Sequence, residues 1–330
     1  MPEALIIGSA GQDGVYLTRF LHTRGYSVSG IGRHGRYGEV DRGYPADLSD
    51  RGAVREVVEA SQPDEVYFVA AFHHSSEGTR ISEDELVASS FDVNTLALNH
   101  VLSALADLRP AARLLYASSS RVFGESTGLE QNEDTPLNPI EPYGISKAAG
   151  MLICRYWRRI RSLFAVSAIL YNHESPLRPP SFLSQKIVQA AVKAFRGASV
   201  ELVLGNLSAR QDWGHAADTV RAMWLILQQP APEDFVVATG QLHEVRDWLE
   251  AAFGAFSLDW HTFVSERPGL LSRGRPTNAL RGNSMRLREA TRWQPEFTFE
   301  AMVQDMVNSE LTRQTANAAA SHQGGLHREP

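Results

Sequence analysis

The chain has 330 residues, of which 43% are hydrophobic, so it is long enough to bury one large core or two smaller ones. Its net charge of −6 argues against nucleic acid or an acidic membrane surface as a partner. Because Cys154 is the only cysteine, the sequence excludes an internal disulfide framework and a cysteine-rich metal site.

The sequence also lacks the segments that carry a protein into or across a membrane. No window of about 18 consecutive apolar residues occurs, so no transmembrane helix is expected. The residues Met1–Ala4 have neither the basic stretch nor the apolar run of a signal peptide. We therefore expect a soluble, cytoplasmic protein.

A glycine-rich segment follows the first predicted strand. The strand, Ala4–Ile7, is a short apolar run, and three glycines spaced three apart come next, followed by apolar residues at helical spacing. Strand, glycine turn and helix form the context of a dinucleotide-binding loop, in which the helix N-terminus faces the pyrophosphate. The predicted cofactor-binding residues in this loop are Gly8, Gly11, Gln12, Asp13 and Gly14.

The second predicted strand, Ser27–Ile31, ends where an enzyme that uses NAD places an acidic residue on the adenosine ribose. Here Arg33 follows the strand, and no acidic residue comes before Glu39. A guanidinium suits the 2′-phosphate of NADP, since its planar fork of donors matches phosphate oxygens. The sequence therefore favours NADP. Further along, Asp47 is placed to accept from the adenine amino group, and we assign Leu48 to the same site.

The third predicted buried strand, Val66–Val69, is followed by a small residue, Ala70, which leaves room for the cofactor backbone. His73 and His74 come next. Adjacent histidines are more often polar loop residues than metal ligands, and no carboxylate lies at metal-binding spacing beside them. No metal site is predicted.

A serine cluster that contains Ser119 follows the predicted strand Arg113–Tyr116. Ligands of open parallel sheets bind beyond the carboxyl ends of strands, where a serine can bond a hydroxyl or keto oxygen. Further on, Tyr143 and Lys147 lie one turn apart on one face of a predicted helix. The lysine cation favours the phenolate, so the tyrosine can act as a base nearer neutral pH. We predict catalytic roles for all three residues and cofactor contacts for Tyr143 and Lys147.

Strands and helices alternate regularly in the first half of the chain and irregularly after it. This pattern predicts an α/β fold with a doubly wound parallel sheet of the Rossmann type, over residues 1–173 plus parts of 210–240. A smaller mixed α/β substrate-binding domain is expected over 174–312, where prolines mark long loops. The small, polar residues of 313–330 predict a flexible tail.

Glycine loop, serine cluster and Tyr–x3–Lys, in this order, resemble the extended short-chain dehydrogenases/reductases. Longer segments narrow the resemblance to the GDP-mannose 4,6-dehydratase family, over about residues 3 to 310. The main segments that carry it are Gly11-Gln12-Asp13-Gly14, Asn172-His173-Glu174-Ser175-Pro176, Leu204-Gly205-Asn206-Leu207, Arg210-Gln211-Asp212-Trp213-Gly214-His215 and Arg275-Pro276-Thr277.

The resemblance implies an enzyme that uses NADP+ to oxidise C4 of a GDP-linked hexose, eliminates water and gives a 4-keto-6-deoxy sugar. It implies that Ser119 contacts the C4 oxygen, that Tyr143 transfers the proton with Lys147 as its partner, and that His173 lies against the nicotinamide. It also implies a homodimer or homotetramer. The residues expected to bind the GDP-sugar are His74, Asn172, Lys186, Gly205, Arg210 and Arg275.

One departure from the family concerns the reaction itself. The family removes the C5 proton with a glutamate two residues after the hydroxyl residue, and this chain has Arg121 there. An arginine is always protonated and has no acceptor site, so it cannot take that proton. His73 or His74 is a candidate substitute base, since histidine titrates near neutrality. Glu125 is a weaker candidate because it lies beyond the strand end.

This departure leaves two alternatives open. The first is a nucleotide-sugar 4-reductase or epimerase, which needs Ser119, Tyr143 and Lys147 but not the missing glutamate. The second is a catalytically impaired protein that binds a GDP-sugar and NADP.

Overall fold

The structure is a computed structural model that describes residues 1–32, 35–73, 81–125, 128, 130–267 and 281–325, with side chains described up to residue 316. The described chain forms two compact units. The first contains Met1–His173, Gln211–Leu242 and 281–296, and the second contains Glu174–Arg210, 243–267 and 297–325.

The strands, in chain order, are β1 (Glu3–Ile7), β2 (Ser27–Gly32), β3 (Arg42–Pro45), β4 (Glu65–Phe68), β5 (Arg113–Ser119), β6 (Glu130–Gln131), β7 (Phe164–Leu170), β8 (Asn172–Glu174), β9 (Leu202–Leu204), β10 (Arg210–His215), β11 (Phe235–Val237), β12 (Leu242–Glu244), β13 (Val264–Glu266) and β14 (Arg281–Gly282). The α-helices are α1 (Gln12–Thr23), α2 (Arg51–Ser61), α3 (Glu83–Phe91), α4 (Ala97–Leu108), α5 (Pro142–Arg161), α6 (Leu183–Phe195), α7 (Ala216–Leu227), α8 (Val245–Gly254), α9 (Met285–Thr291) and α10 (Phe299–Gly325). A π-helical turn, Asp92–Leu96, joins α3 to α4, and Ser120–Phe123 and Trp260–Thr262 form 3-10 turns.

A parallel sheet organises the first unit. Among the described residues its strand order is β11-β7-β5-β4-β1-β2-β3. The chain therefore winds outward from β1 in both directions, which confirms the predicted doubly wound sheet. The register places Ile7 beside Phe68, and Phe68 beside Tyr116. The loops after β1, β4 and β5 consequently leave the sheet at one edge.

The central strands of this sheet are buried on both faces, because β1, β4, β5 and β7 consist mostly of apolar residues. Leu5 and Ile7 pack on one face with residues of α2, α4 and α5, while Ala4 and Ile6 pack on the other with residues of α1 and α7. Each of these four side chains is at most 1% exposed. A fully buried leucine or isoleucine contributes about 1.5–3 kcal/mol, so the sheet edge that carries the site is a rigid platform.

The second unit packs α6, α8 and α10 together, and β9 pairs with β13 in parallel. Trp248 is fully buried in it and meets the Phe299 ring edge-on, with 5.2 Å between ring centroids. Across the described chain, no helix combines the length and the apolar character that spanning a membrane requires.

Residues 281–296 differ from the sequence prediction, which placed them in the substrate-binding domain. They belong to the first unit. Leu287 and Trp293 are buried there, and the Trp293 indole donates to the Asp218 carbonyl at 3.0 Å. Burial of these two large apolar side chains holds the segment in the first unit, although it follows residues of the second unit in the sequence.

The C-terminal segment also differs from the prediction of a flexible tail from residue 313. Helix α10 continues to Gly325. At its described end, Gln314 and Arg313 donate to the buried carboxylate of Glu310, at 2.6 Å and 3.1 Å. The residues that follow include several alanines and no proline before Gly325, so helix propensity favours continuation of the helix.

Candidate active site

The glycine loop brings the backbone of β1 close to the end of β4. Gly8 has φ of 98°, and a Cβ on it would lie 2.7 Å from the Ala70 nitrogen. A Cβ on Gly14 would lie 2.4 Å from the Gly8 oxygen. Only glycine fits both positions. Gly11 is the N-cap of α1 and makes no side-chain cap, so the first turn of the helix presents its N–H groups as an anion site requires.

Hydrogen bonds link this loop to the residues that follow β7 in the first unit. Asp13 accepts from the His173 Nε2 at 3.0 Å, and His173 Nδ1 donates to the Tyr171 carbonyl at 2.8 Å. Gln12 donates to the His173 carbonyl at 3.1 Å. Both ring nitrogens of His173 thus face oxygen acceptors, one of them on the carboxylate of Asp13. The predicted cofactor residues Gln12, Asp13 and His173 are thus in contact.

The region expected to bind adenosine is described only in part. Arg33 lies outside the described residues. Asp47 accepts from the Ser49 amide at 2.9 Å, and the Leu48 carbonyl bonds the His100 ring at 3.1 Å. Glu39, the first acidic residue after the second strand, is paired with Arg19 at 2.6 Å.

Helix α5 carries the predicted tyrosine and lysine in its first two turns. Its entry is set by Glu141 at the N-cap and by Pro142, whose fixed φ suits the first helical position. Lys147 is 1% exposed, and its Nζ donates to the Ala117 carbonyl at 2.8 Å. The Nζ lies 5.7 Å from the centroid of the Tyr143 ring. The structure therefore brings the pair together.

Burial changes the acidity of the lysine. Desolvation lowers the pKa of Lys147 from 10.5 to about 7, and the nearby Asp13 carboxylate acts in the opposite direction. A lysine that titrates near neutrality can both hold a proton beside a phenolate and release it. Perturbed values of this kind cluster at functional sites.

A second group of side chains surrounds the start of α5. The Ser119 Oγ accepts from the Arg121 backbone N–H at 3.2 Å. The Arg121 Nε lies 3.3 Å from the Glu141 Oε1. A Cβ on Gly144 would come 2.6 Å from the Arg121 carbonyl, so a glycine is needed where β5 and α5 meet. Sequence analysis did not select Glu141, although it lies only two residues before Tyr143.

Asn94 is another residue that sequence analysis missed. It is fully buried in the π-helical turn, donates to Ser146 Oγ at 3.0 Å and accepts from the Phe72 N–H at 2.9 Å. The Tyr116 hydroxyl donates to its carbonyl at 2.7 Å. Asn94 thus ties the segment before His73, whose ring meets Tyr143 edge-on at 5.0 Å, to α5. The sequence signal that could have identified Asn94 is a polar amide at a buried position of an otherwise apolar helical pattern.

The residues expected to hold the substrate divide between the two units. In the first unit, Asn172 donates to the Gln211 side chain at 3.3 Å. In the second, Lys186 lies on α6, Gly205 follows β9 and Arg210 begins β10. Desolvation lowers the pKa of Lys186. His74 and Arg275 lie outside the described residues. Within the described chain, no group of three or more His, Cys, Asp or Glu side chains could hold a metal ion.

Comparisons with known proteins identify the family. A model of the family described as GDP-mannose 4,6 dehydratase matches residues 5–306. GDP-mannose 4,6 dehydratase 2 of Arabidopsis thaliana is 36% identical over 328 residues, which cover 93% of this chain and 86% of that protein. GDP-mannose 4,6 dehydratase of Homo sapiens is 34% identical over 352 residues, which cover 96% of this chain and 93% of that protein.

A solved structure shows the same fold. RMD from Pseudomonas aeruginosa, complexed with NADPH, matches with a TM-score of 0.80 and 22% identity over 94% of this chain and 99% of that chain. The family model and the sequence relatives show the family, and the solved structure shows the fold. The chain belongs to the GDP-mannose 4,6-dehydratase family.

Proposed function

We propose that this protein is an NADP-dependent dehydratase that converts a GDP-linked hexose, with GDP-mannose as the first candidate, into the 4-keto-6-deoxy sugar. The observation that carries the proposal is the buried Lys147 beside Tyr143, at the edge of the sheet where the glycine loop and Ser119 also lie. The relatives named GDP-mannose 4,6 dehydratase support the substrate and the reaction. The buried single cysteine is compatible with a reducing compartment, and the cytoplasm is the location we propose.

The glycine loop fits the pyrophosphate of a dinucleotide. The positions of Gly8 and Gly14 leave no room for a Cβ, and the N-terminus of α1 has no side-chain cap to compete for its N–H groups. When bound, the nicotinamide cofactor supplies a hydride acceptor and donor. NADP is favoured because Arg19 already binds the carboxylate of Glu39, and because Arg33 follows the second strand in the sequence. Calorimetry that showed equal or tighter binding of NAD+ would contradict this choice.

The first step is a proton transfer to a residue of α5. The Tyr143 phenolate takes the proton of the C4 hydroxyl as the hydride leaves C4, and Lys147 stabilises the phenolate by charge. The Ser119 hydroxyl orients the C4 oxygen. Asn94 positions these groups by bonding Ser146 on the same helix. For the GDP part, we propose Asn172, His74, Lys186, Gly205, Arg210 and Arg275 as the binding residues.

The arginine at position 121 supports a second candidate function, that of a 4-reductase or epimerase. Arg121 lies where the dehydratase reaction would use a carboxylate, and a 4-reductase or epimerase needs only Ser119, Tyr143 and Lys147. The experiment is incubation with GDP-mannose and NADP+, with the product followed by mass and NMR. Loss of one water supports the dehydratase. Unchanged mass with altered ring couplings supports an epimerase, and binding without turnover supports an impaired protein.

The titration of Lys147 predicts a pH-dependent stability. Between pH about 7, its folded-state pKa, and 10.5, its ordinary value, the unfolded chain keeps a proton that the folded chain has released. The free energy of unfolding therefore rises with pH in this window. Below the window, the buried ammonium destabilises the folded state by its full amount. Lys147→Met should stabilise the cofactor-free protein more at about pH 6 than at about pH 9, by about 2 kcal/mol. Urea denaturation measures this, with exposed Lys193→Met as control. A difference independent of pH would contradict the shift.

Lys186 provides a prediction for the substrate. Its proposed contact with the GDP-sugar is a charge-assisted hydrogen bond worth about 1.5–3 kcal/mol. Lys186→Ala should therefore raise KM for GDP-mannose by about 10–100-fold and change kcat little. Lys193, two turns later on α6 and exposed, gives the matched control Lys193→Ala. Equal effects of the two substitutions would exclude a specific contact.

An exposed apolar stripe on α5 supports a homo-oligomer. Its members recur at helical spacing and are 41–57% exposed: Ile145, Leu152, Tyr156 and Ile160. Exposed apolar faces of this kind mark protein interfaces, and a second copy of the chain is the partner that the family resemblance implies. Tyr156→Glu should lower the mass measured by sedimentation, whereas Met285→Glu, at an exposed residue on α9, should leave it unchanged. A wild-type monomer would overturn the proposal.

A further inference from the structure

The proposed dehydration needs an acid–base group besides Tyr143. Oxidation at C4 makes the neighbouring C5 proton acidic, and that proton has to be removed before the C6 hydroxyl can leave. Proton transfer by a positioned side chain contributes about 10²–10⁴-fold to such a step. The group has to be an acceptor near neutral pH, so Arg121 itself is excluded.

The carboxylate of Glu141 lies beside Arg121, the residue that stands at the position of the family's catalytic glutamate. The Arg121 Nε and the Glu141 Oε1 are 3.3 Å apart, and the two side chains are 27% and 29% exposed. They are therefore held, yet accessible to a ligand. A Cβ on Gly144 would lie 2.6 Å from the Arg121 carbonyl, so the start of α5 packs closely against the turn that follows β5. Because the Arg121 N–H also bonds the Ser119 hydroxyl at 3.2 Å, this turn brings Ser119 close to the start of α5, where Glu141 and Tyr143 lie.

Other titratable groups near this cluster are less suited. Asp13 is bonded by both Gln12 and His173 in the glycine loop. His73 is exposed, and its ring packs edge-on with the ring of Tyr143, the C4 proton acceptor, with 5.0 Å between the ring centroids. Glu125 is exposed beyond the turn that follows β5, and its backbone carbonyl bonds Asn138.

We propose that Glu141 is the base that removes the C5 proton, and that Arg121 positions its carboxylate and stabilises the enolate oxygen at C4. This inference rests on the proposed function. The oxygen of Glu141 bonds the C5 proton, and the C5–H electron pair becomes the enolate. The enolate then re-forms the ketone as the C6–O bond breaks, and hydroxide leaves as water with the proton from Glu141.

The remaining steps balance without another reagent. Two protons are removed, one from the C4 hydroxyl by Tyr143 and one from C5 by Glu141. The proton on Glu141 leaves in the water, and the proton on Tyr143 is delivered to C5. A bound nicotinamide cofactor would accept the hydride from C4 and give it back at C6, so no further oxidant or reductant is required.

The experiment follows deuterium at C5. Wild-type enzyme, GDP-mannose and NADP+ are mixed in deuterated water, and deuterium in the recovered sugar is read by mass and NMR. A single-turnover trace of reduced cofactor reports C4 oxidation separately. Glu141→Gln is expected to keep that trace and to lower C5 deuterium incorporation by about 10²–10⁴-fold. Glu141 makes no side-chain cap to α5, so the substitution removes no cap bond.

Two further variants separate the explanations. Glu125→Gln should incorporate deuterium at the wild-type rate. Exchanging the pair, Arg121→Glu with Glu141→Arg, should restore incorporation that Glu141→Gln has lost. The inference is overturned if Glu141→Gln incorporates deuterium at C5 within about twofold of the wild-type rate. It is also overturned if the variant loses C4 oxidation as much as it loses C5 exchange, because the residue would then not act at C5 alone.

Failure of the proposed function gives a different result. A wild-type enzyme that exchanges C5 without losing water refutes the dehydratase and still supports Glu141 as the base, provided that Glu141→Gln abolishes the exchange. A wild-type enzyme that oxidises C4 without any exchange at C5 overturns the role of Glu141.

Discussion

Replacing Tyr143 with phenylalanine is expected to lower kcat by about 10²–10⁴-fold, because the phenol oxygen is the only atom removed and the proton of the C4 hydroxyl then has no acceptor. The ring remains, so the edge contact with His73 and the packing of α5 are kept. Affinity for NADP+, measured by calorimetry, should change far less than kcat, because the ring remains for the predicted cofactor contact while the group that acts in the transition state is lost.

The matched control is Tyr156→Phe on the same helix. Tyr156 is 57% exposed, and removal of its hydroxyl should leave turnover unchanged. Turnover of Tyr143→Phe equal to that of the control would exclude Tyr143 as the proton acceptor. Comparison with Lys147→Met then tests the pair: if the lysine acts through the tyrosine, the double variant should be little worse than Tyr143→Phe alone.

Replacing Gly14 with alanine is expected to destabilise the protein by about 1–3 kcal/mol and to weaken NADP+ binding by more than about tenfold. The added Cβ would lie 2.4 Å from the Gly8 oxygen and 2.5 Å from the Ser9 Cα. These are backbone atoms of the cofactor loop and cannot move aside as a flexible side chain can. Relief of the clash has to shift α1 away from β1, which spoils the N–H groups that face the pyrophosphate.

Gly254→Ala provides the control, since a Cβ there meets nothing within 4 Å and the residue lies in α8. That substitution should be neutral or stabilising by about 0.5 kcal/mol, because alanine has the higher helix propensity. Urea denaturation and calorimetry measure both variants. Gly14→Ala with wild-type stability and wild-type affinity would show that α1 does not pack as closely as the structure indicates.

Membership of the dehydratase family and the arginine at position 121 are compatible if another residue supplies the catalytic carboxylate. The Glu141 Oε1 lies 3.3 Å from the Arg121 Nε, so a carboxylate is still present beside position 121. Measurements of C5 exchange and water loss on the same enzyme decide between this arrangement and an epimerase.

The features that the sequence by itself determined are those that depend on neighbours in the chain. Helical geometry places Tyr143 and Lys147 one turn apart whatever surrounds them. Apolar runs that stop at glycine or serine predicted β1 and β5, and with them the parallel sheet and the position of Ser119 at its edge. The longer family segments identified the cofactor loop and the substrate class by the same local patterns.

Only the tertiary structure decided which distant residues share a site. His173 meets Asp13 across 160 positions of the chain, and Asn94 holds Phe72 and Ser146 across 22 and 52. The pKa of Lys147 follows from burial by residues of several elements, and Glu141 gains its proposed role by lying beside Arg121. Such contacts are long-range, because they arise when strands and helices pack, and spacing along the sequence carries no record of them.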